Sequence, residues 1–259
     1  MATDLRKIAE QEFHNRREEL RLAKREDHDS FYTNRRFYRT TSKSRKYLEH
    51  WFQNKCPGRK ILDYCCGLGD TSIRLAELGA DVIGVDISDV SIETGKRTAA
   101  EMQLKGKIEF LVMDAENLIF ENDQFDIIVC SGVLHHLDLD KAYQELARVL
   151  KPNGEIICIE ALSDNPLIHW YRRRTPHLRT EWETDHILTT AKIKMASRYF
   201  NKVNIKYFHL ASLAAIPLID KPGFQLALKL LNAMDAILLK IPGIQKLAWQ
   251  AIFTLSGPR

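Results

Sequence analysis

Between residues 60 and 160, short apolar runs alternate with stretches of helical period. That alternation constrains the fold of this 259-residue chain more than any other feature. The apolar runs lie at 60–64, 81–86, 107–114, 125–131 and 155–160. Helical stretches follow the first four, near 71–78, 88–102, 115–118 and 138–150. Near-continuous apolar strands separated by helices predict a parallel sheet covered on both faces. Lys151-Pro152-Asn153-Gly154 is expected to stop the fourth helix and reverse the chain into the fifth strand.

Outside this stretch the rhythm differs. Residues 4–27 read as a charged helix, and 28–41 are aromatic and basic without a clear period. Ser42 is placed to cap a helix through about Lys55, with Tyr47, Leu48, Trp51 and Phe52 on one buried face. Beyond 160 the expected order is a helix at 187–200, a strand at 202–210, apolar helices at 224–239 and 244–249, and a last strand at 250–255. The expected organisation is an N-terminal helical arm over 1–56, a ligand-binding core over 57–160, and a substrate-side lid with the remaining strands and apolar helices over 161–259.

Charge and cysteine usage narrow the class. Residues 1–60 hold 16 Lys and Arg against 9 Asp and Glu, a net of +7, although the whole chain carries only +4. A basic arm suits an anionic partner or is simply a solvated helix. The N-terminal sequence has no apolar signal segment. The five cysteines lack zinc-ligand spacing and read as reduced thiols, which points to the cytoplasm. The apolar C-terminal stretch is interrupted by Asp220, Lys221, Lys229, Asp235 and Lys240, which argues against a membrane span.

The chemistry is concentrated at the strand ends. The first strand runs into Ile61-Leu62-Asp63-Tyr64-Cys65-Cys66-Gly67-Leu68-Gly69-Asp70-Thr71. Glycines at such a strand-to-helix turn let a ligand approach the backbone, and the helix N-terminus beyond offers free N–H groups. Asp86 ends the second strand 19 residues after Gly67, where a carboxylate can accept both hydroxyls of a ribose. Asp114 ends the third strand and can accept from an adenine amino group. In an open parallel sheet these tips meet in one crevice. A nicotinamide enzyme would carry the six-residue pattern G-x-G-x-x-G. Here Gly67-Leu68-Gly69 is followed by Asp70-Thr71-Ser72, so the third glycine is absent.

The ordered set ILDYCCGLGDTSIRLAELGADVIGVDIS, FLVMDAENL, FDIIVCSGVLHHL and LARVLKPNGEIICIE resembles the motifs of class I S-adenosylmethionine (SAM)-dependent methyltransferases, over about residues 60–160. The resemblance implies an α/β, Rossmann-like, seven-stranded, mostly parallel sheet. Its last strand is antiparallel and helices lie on both faces. An N-terminal helical cap and helical insertions near the C-terminus complete it. SAM is the implied cofactor. By position, Asp63, Cys65, Gly67 and Gly69 would surround its methionine part, Asp86 its ribose, Ile87, Asp114 and Ala115 its adenine, and Ser131 the region of the sulfonium. The family usually has glycine where this chain has Cys65, so that position needs a tolerated backbone conformation.

On the acceptor side, His136 and His186 are the candidate bases for a hydroxyl or amine. His135, His169, Arg174, His177 and Arg179 are candidate acceptor contacts, and the density of Arg over 169–186 suits an acidic or phosphorylated acceptor. No metal is expected there. The expected activity is methylation of a small molecule in biosynthesis, at a hydroxyl of a natural product, lipid-like or saccharide acceptor. An RNA or protein methyltransferase docking through the basic arm is an alternative, as is a SAM-binding protein without turnover. No stable nucleic-acid complex is expected, because the fourth strand ends in Cys130-Ser131-Gly132-Val133 and no added RNA module is evident. Peripheral membrane contact and a homodimer are both compatible with the apolar C-terminal helices.

Overall fold

The apolar runs pair into a single seven-stranded sheet in a computed structural model that describes residues 2–23, 38–175, 182 and 186–259. The strands are β1 (Lys60–Tyr64), β2 (Asp81–Asp86), β3 (Ile108–Val112), β4 (Phe125–Ser131), β5 (Leu150–Ala161), β6 (Phe200–Phe208) and β7 (Gln250–Pro258). Their order is β3-β2-β1-β4-β5-β7-β6, and β7 alone runs opposite to the other six. This is the expected mostly parallel sheet with an antiparallel last strand.

The helices are α1 (Ala2–Ala23), α2 (Ser42–Lys55), α3 (Asp70–Glu77), α4 (Asp89–Ala100), α5 (Leu139–Val149), α6 (Pro166–Arg173), α7 (Thr190–Lys194) and α8 (Phe224–Leu238). They cover both faces of the sheet. On one face Leu62, Tyr64, Phe125 and Ile128 pack with Tyr143 and Leu146 of α5. On the other, Ile61, Val82 and Val129 pack with Leu75 of α3 and with Trp51 and Phe52 of α2. Strands buried on both faces must be apolar throughout, which is why they read as continuous runs.

Several local expectations are corrected. Residues 115–118 form turns instead of a helix, because side chains take the backbone donors: Asp114 accepts from the Glu116 N–H, and Glu145 from the Leu118 N–H. Lys151–Gly154 do not reverse the chain. They lie inside β5, where the register with β4 slips between Phe125 and Ile127, so the turn residues produce an irregularity in one long strand. Ser42 is the first residue of α2 and not its cap; Thr41 holds that place without a side-chain cap bond. The helix expected from 187 begins at Thr190, since Leu188 bridges to Leu162 and Thr189 caps the turn from outside. Near 244–249 only a 3₁₀ turn forms, and the Trp249 N–H is already bonded to the His209 carbonyl at 2.8 Å.

Two consequences position the site. The carboxyl ends of β1 to β5 line one edge of the sheet. β6 runs parallel to β5, because both are antiparallel to β7, so the segment between β6 and β7 is inserted at that same edge. Among the described residues no helix is long and apolar enough to cross a membrane.

Candidate active site

A crevice opens at the strand tips. Its cavity of about 290 Å³ is floored by Asp63, Cys65, Gly67, Asp86, Ile87, Asp114, Ala115, Ser131 and His136. That is close to the lower end of the range for small-molecule sites, roughly 300–1,000 Å³.

The bend after β1 is built for close approach. Gly67 (φ 52°) and Gly132 (φ 68°) are left-handed, and a methyl group placed on either would meet nothing within 4 Å. The space above both is therefore open to a ligand. Gly69 (φ 82°) caps α3 and lies against Phe110, whose ring would be 2.5 Å from an added Cβ. It shapes the bend and does not line the cavity. Cys65, standing where the resembled family has glycine, is itself left-handed (φ 58°). The backbone conformation is kept without the usual residue, at a cost of roughly 1–2 kcal/mol.

Three acids meet here with different partners. Asp86 accepts from the Gly67 N–H (2.8 Å) and the Ser88 N–H (2.9 Å), which locks the glycine bend to the end of β2. Asp63 is buried and accepts from the Ser72 hydroxyl (2.6 Å). Burial pushes its pKa up to about 7, and the neighbouring Asp86 charge adds to the rise. Asp114 accepts from the Lys7 ammonium at 2.5 Å.

Lys7 belongs to α1, which forms the roof of the crevice. Arg6, Lys7, Glu10, His14 and Arg17 all line the cavity from above. Arg6 pairs with the buried Glu116 and donates to the His136 carbonyl. Burial pushes the Glu116 carboxyl up, but Arg6, the Asp138 N–H and Lys7 outweigh it and hold the pKa below its ordinary value. Gln11 donates to the Ile87 carbonyl (2.9 Å), and Asn15 bonds Ser88 and Asp89. The sequence suggests an N-terminal helical arm or cap, either solvated or facing an anionic partner, but not which residues face the crevice. The one visible signal is that residues 6, 7, 10, 14 and 17 recur at helical spacing and so share a face.

The histidines separate. His136 Nδ1 lies 3.1 Å from Glu10 Oε2, and His14 Nε2 lies 3.5 Å from the same oxygen. The ligand-type atoms of Glu10, His14 and His136 lie within 4.8 Å of one another, a grouping that could hold a metal ion and that the sequence did not disclose. His135 faces Glu160 (2.8 Å), whose other oxygen accepts from the Val133 and Leu134 N–H groups. His186 stacks on Trp182 at 3.6 Å and bonds its carbonyl, outside the cavity lining. His169 is exposed on α6, and Arg174 lies over the Trp170 ring at 3.9 Å; neither lines the cavity. His177 and Arg179 lie outside the described residues.

Comparison with known proteins agrees with this geometry. Residues 61–154 match the profile of a methyltransferase domain. Over that stretch the chain is similar to a methyltransferase domain, as the motif resemblance led us to expect. In sequence it is similar to the demethylmenaquinone methyltransferase of Bacillus cereus (strain ATCC 10987 / NRS 248), with 38% identity over 108 residues, 40% of this chain and 45% of that protein. The chain therefore matches less than half the length of that relative. Its fold resembles magnesium protoporphyrin IX methyltransferase from Synechocystis PCC 6803, solved with S-adenosylhomocysteine (SAH): TM-score 0.60, 16% identity, covering 97% of this chain and 99% of that one. It also resembles geranyl diphosphate C-methyltransferase from Streptomyces coelicolor A3(2): TM-score 0.58, 14% identity, covering 82% and 79%.

The residues present fit SAM. The open space above Gly67 and Gly132 admits a ligand to the backbone, and the acids around it suit a ligand that carries a sulfonium and an ammonium but no phosphate.

Proposed function

We propose that this protein transfers a methyl group from SAM to a small-molecule acceptor, at a hydroxyl of a natural product, lipid-like or saccharide compound. The observation that carries this reading is the convergence of Asp63, Asp86 and Asp114 with the open bend at Gly67 on one crevice of a methyltransferase domain.

Asp86 would hold the ribose hydroxyls, and Ile87, Asp114 and Ala115 the adenine. Asp63, Cys65 and Gly67 would form the methionine end, with Ser131 near the sulfonium; Gly69 serves only by shaping the bend. When bound, SAM supplies an electrophilic methyl group, and the protein's task is alignment and exclusion of water. The α1 roof, tied by Lys7 to Asp114 and by Arg6 to Glu116, performs the second task.

His136 is the base in this reading. If its Nδ1–H donates to Glu10, the other ring nitrogen keeps its lone pair for the acceptor hydroxyl. Glu10 then fixes the tautomer and steadies the imidazolium that forms. His136→Asn is expected to lower kcat about 100-fold with the SAM dissociation constant unchanged, and Glu10→Gln to lower it about tenfold. Single-turnover assays with isotope-labelled SAM and fractionated extracts, beside calorimetry, check both. Unchanged turnover in His136→Asn would remove the base from this mechanism.

The nucleic-acid reading gains no support from Arg6 or Lys7 of α1. Arg6 and Lys7 direct their charge inward, to Glu116 and Asp114.

A further inference from the structure

The segment between β6 and β7 carries a surface that the methyl-transfer reading does not use. α8 buries Phe224 and Leu228 against Ala215 and Ile219. Its opposite side leaves Leu226 (64%), Leu230 (60%), Met234 (50%) and Ile237 (69%) exposed to solvent. Spaced four, four and three residues apart, these form one continuous stripe along the helix. Ile241 and Leu247, just beyond the helix, are exposed as well. A helix apolar on both sides, with only one side covered by its own protein, leaves a face in need of an apolar partner.

The charges around the stripe say which partner. Lys221, Lys229, Lys240 and Lys246 are exposed, and none of residues 221–259 is an exposed acid; the sole carboxylate there, Asp235, is buried and accepts from three backbone N–H groups. Two copies of this chain apposed on this face would bring their lysines together, and Asp220, the acid beside Lys221, is already paired with Arg39. An anionic phospholipid surface supplies both requirements, acyl chains for the stripe and head-group charge for the lysines. With 15 residues, α8 is too short to span a bilayer and suits lying along its surface.

We infer that the exposed face of α8, flanked by Lys221, Lys229, Lys240 and Lys246, docks the protein on an anionic phospholipid bilayer. The β6–β7 insertion lies at the same sheet edge as the mouth of the crevice. Docking therefore brings that edge to the membrane. The consequence that the acceptor is drawn from the bilayer rests on the methyl-transfer reading; the docking itself does not.

The test uses the full chain and co-sedimentation with vesicles of phosphatidylglycerol and phosphatidylcholine, or of phosphatidylcholine alone. The wild type is expected to bind the anionic vesicles and to release as sodium chloride rises from about 0.05 to about 0.5 M. L226S/L230S/I237S should weaken binding at least about tenfold with an unchanged circular dichroism spectrum and Tm. K229Q/K240Q/K246Q, which keeps the stripe intact, should remove the preference for anionic vesicles. Equal partition of the wild type onto neutral and anionic vesicles overturns the inference. So does a wild-type dimer that L226S/L230S/I237S converts to monomer, because the face would then join two copies. SAM calorimetry on the same variants separates this outcome from a failure of the methyl-transfer reading, since neither set touches the crevice.

Discussion

Replacing Asp86 with alanine is expected to weaken SAM binding on the order of 10³-fold. The carboxylate has two jobs. It accepts from the Gly67 and Ser88 N–H groups, and so fixes the bend on which the ligand would rest. Its remaining lone pairs are the acceptors assigned to the ribose hydroxyls. Hydrogen bonds to a charged group contribute about 1.5–3 kcal/mol each. Losing two, together with the preorganised bend, gives about 4 kcal/mol, or three decades in Kd. Titration calorimetry with SAM and SAH measures this directly. Asp86→Asn keeps one acceptor oxygen and should fall between wild type and alanine. Equal affinity of wild type and Asp86→Ala would remove this crevice as the cofactor site.

The second large effect concerns pH. Asp63 is buried and its pKa is raised from 3.8 to about 7. Between those values the unfolded chain has lost this proton and the native protein has kept it. Stability therefore falls as pH rises through that window, by about 1.4 kcal/mol per unit and about 4 kcal/mol in all. His209 does the reverse. It is buried between Ser44 and Ser212, and burial lowers its pKa from 6.5 to about 4. Its neutral form adds stability above pH 6.5, and that is lost as pH falls toward 4, about 3 kcal/mol in all.

Across roughly pH 4.5–6.5 the two slopes oppose each other, so the ligand-free protein should show nearly constant stability from this pair. Asp63→Asn removes one of them. That variant should gain several kcal/mol near pH 7.5 and become sharply less stable as pH drops from 6.5 to 4.5, since only the His209 slope remains. Urea denaturation at several pH values tests this. A parallel shift of the variant at every pH would refute the assignment. A cationic ligand beside Asp63 lowers the energy of its ionised form, so SAM binding below pH 7 should release a proton.

What the sequence disclosed, and what it hid, follows from the range of the forces involved. Strand ends are legible because period, length and a terminal acid are local properties. Asp63, Asp86 and Asp114 were found this way, as was the bend at Gly67. Helix α1 was legible as a helix, and the resemblance implied a cap, but the residues that fasten it over the crevice were not legible. Its contacts to Asp114, Glu116 and His136 cross more than a hundred residues, and nothing local distinguishes Lys7 from a solvated lysine. The cluster of Glu10, His14 and His136 was hidden for the same reason. The 161–186 stretch misled in the opposite direction. Its density of Arg and His suggested convergence, but among the described residues they part: Arg172 bonds the Leu162 carbonyl, Arg174 covers Trp170, and His186 stacks on Trp182. Lys151–Gly154 shows that turn chemistry yields to pairing when a strand is available on each side.

The roof over the crevice is fastened by opposite charges more than by apolar contact. A clasp of that kind loosens in brine at its partly exposed Lys7–Asp114 pair, while the buried Arg6–Glu116 pair is little screened. Entry and departure of whatever the crevice holds should therefore quicken with ionic strength, while the floor beneath, pinned by backbone hydrogen bonds, keeps its shape.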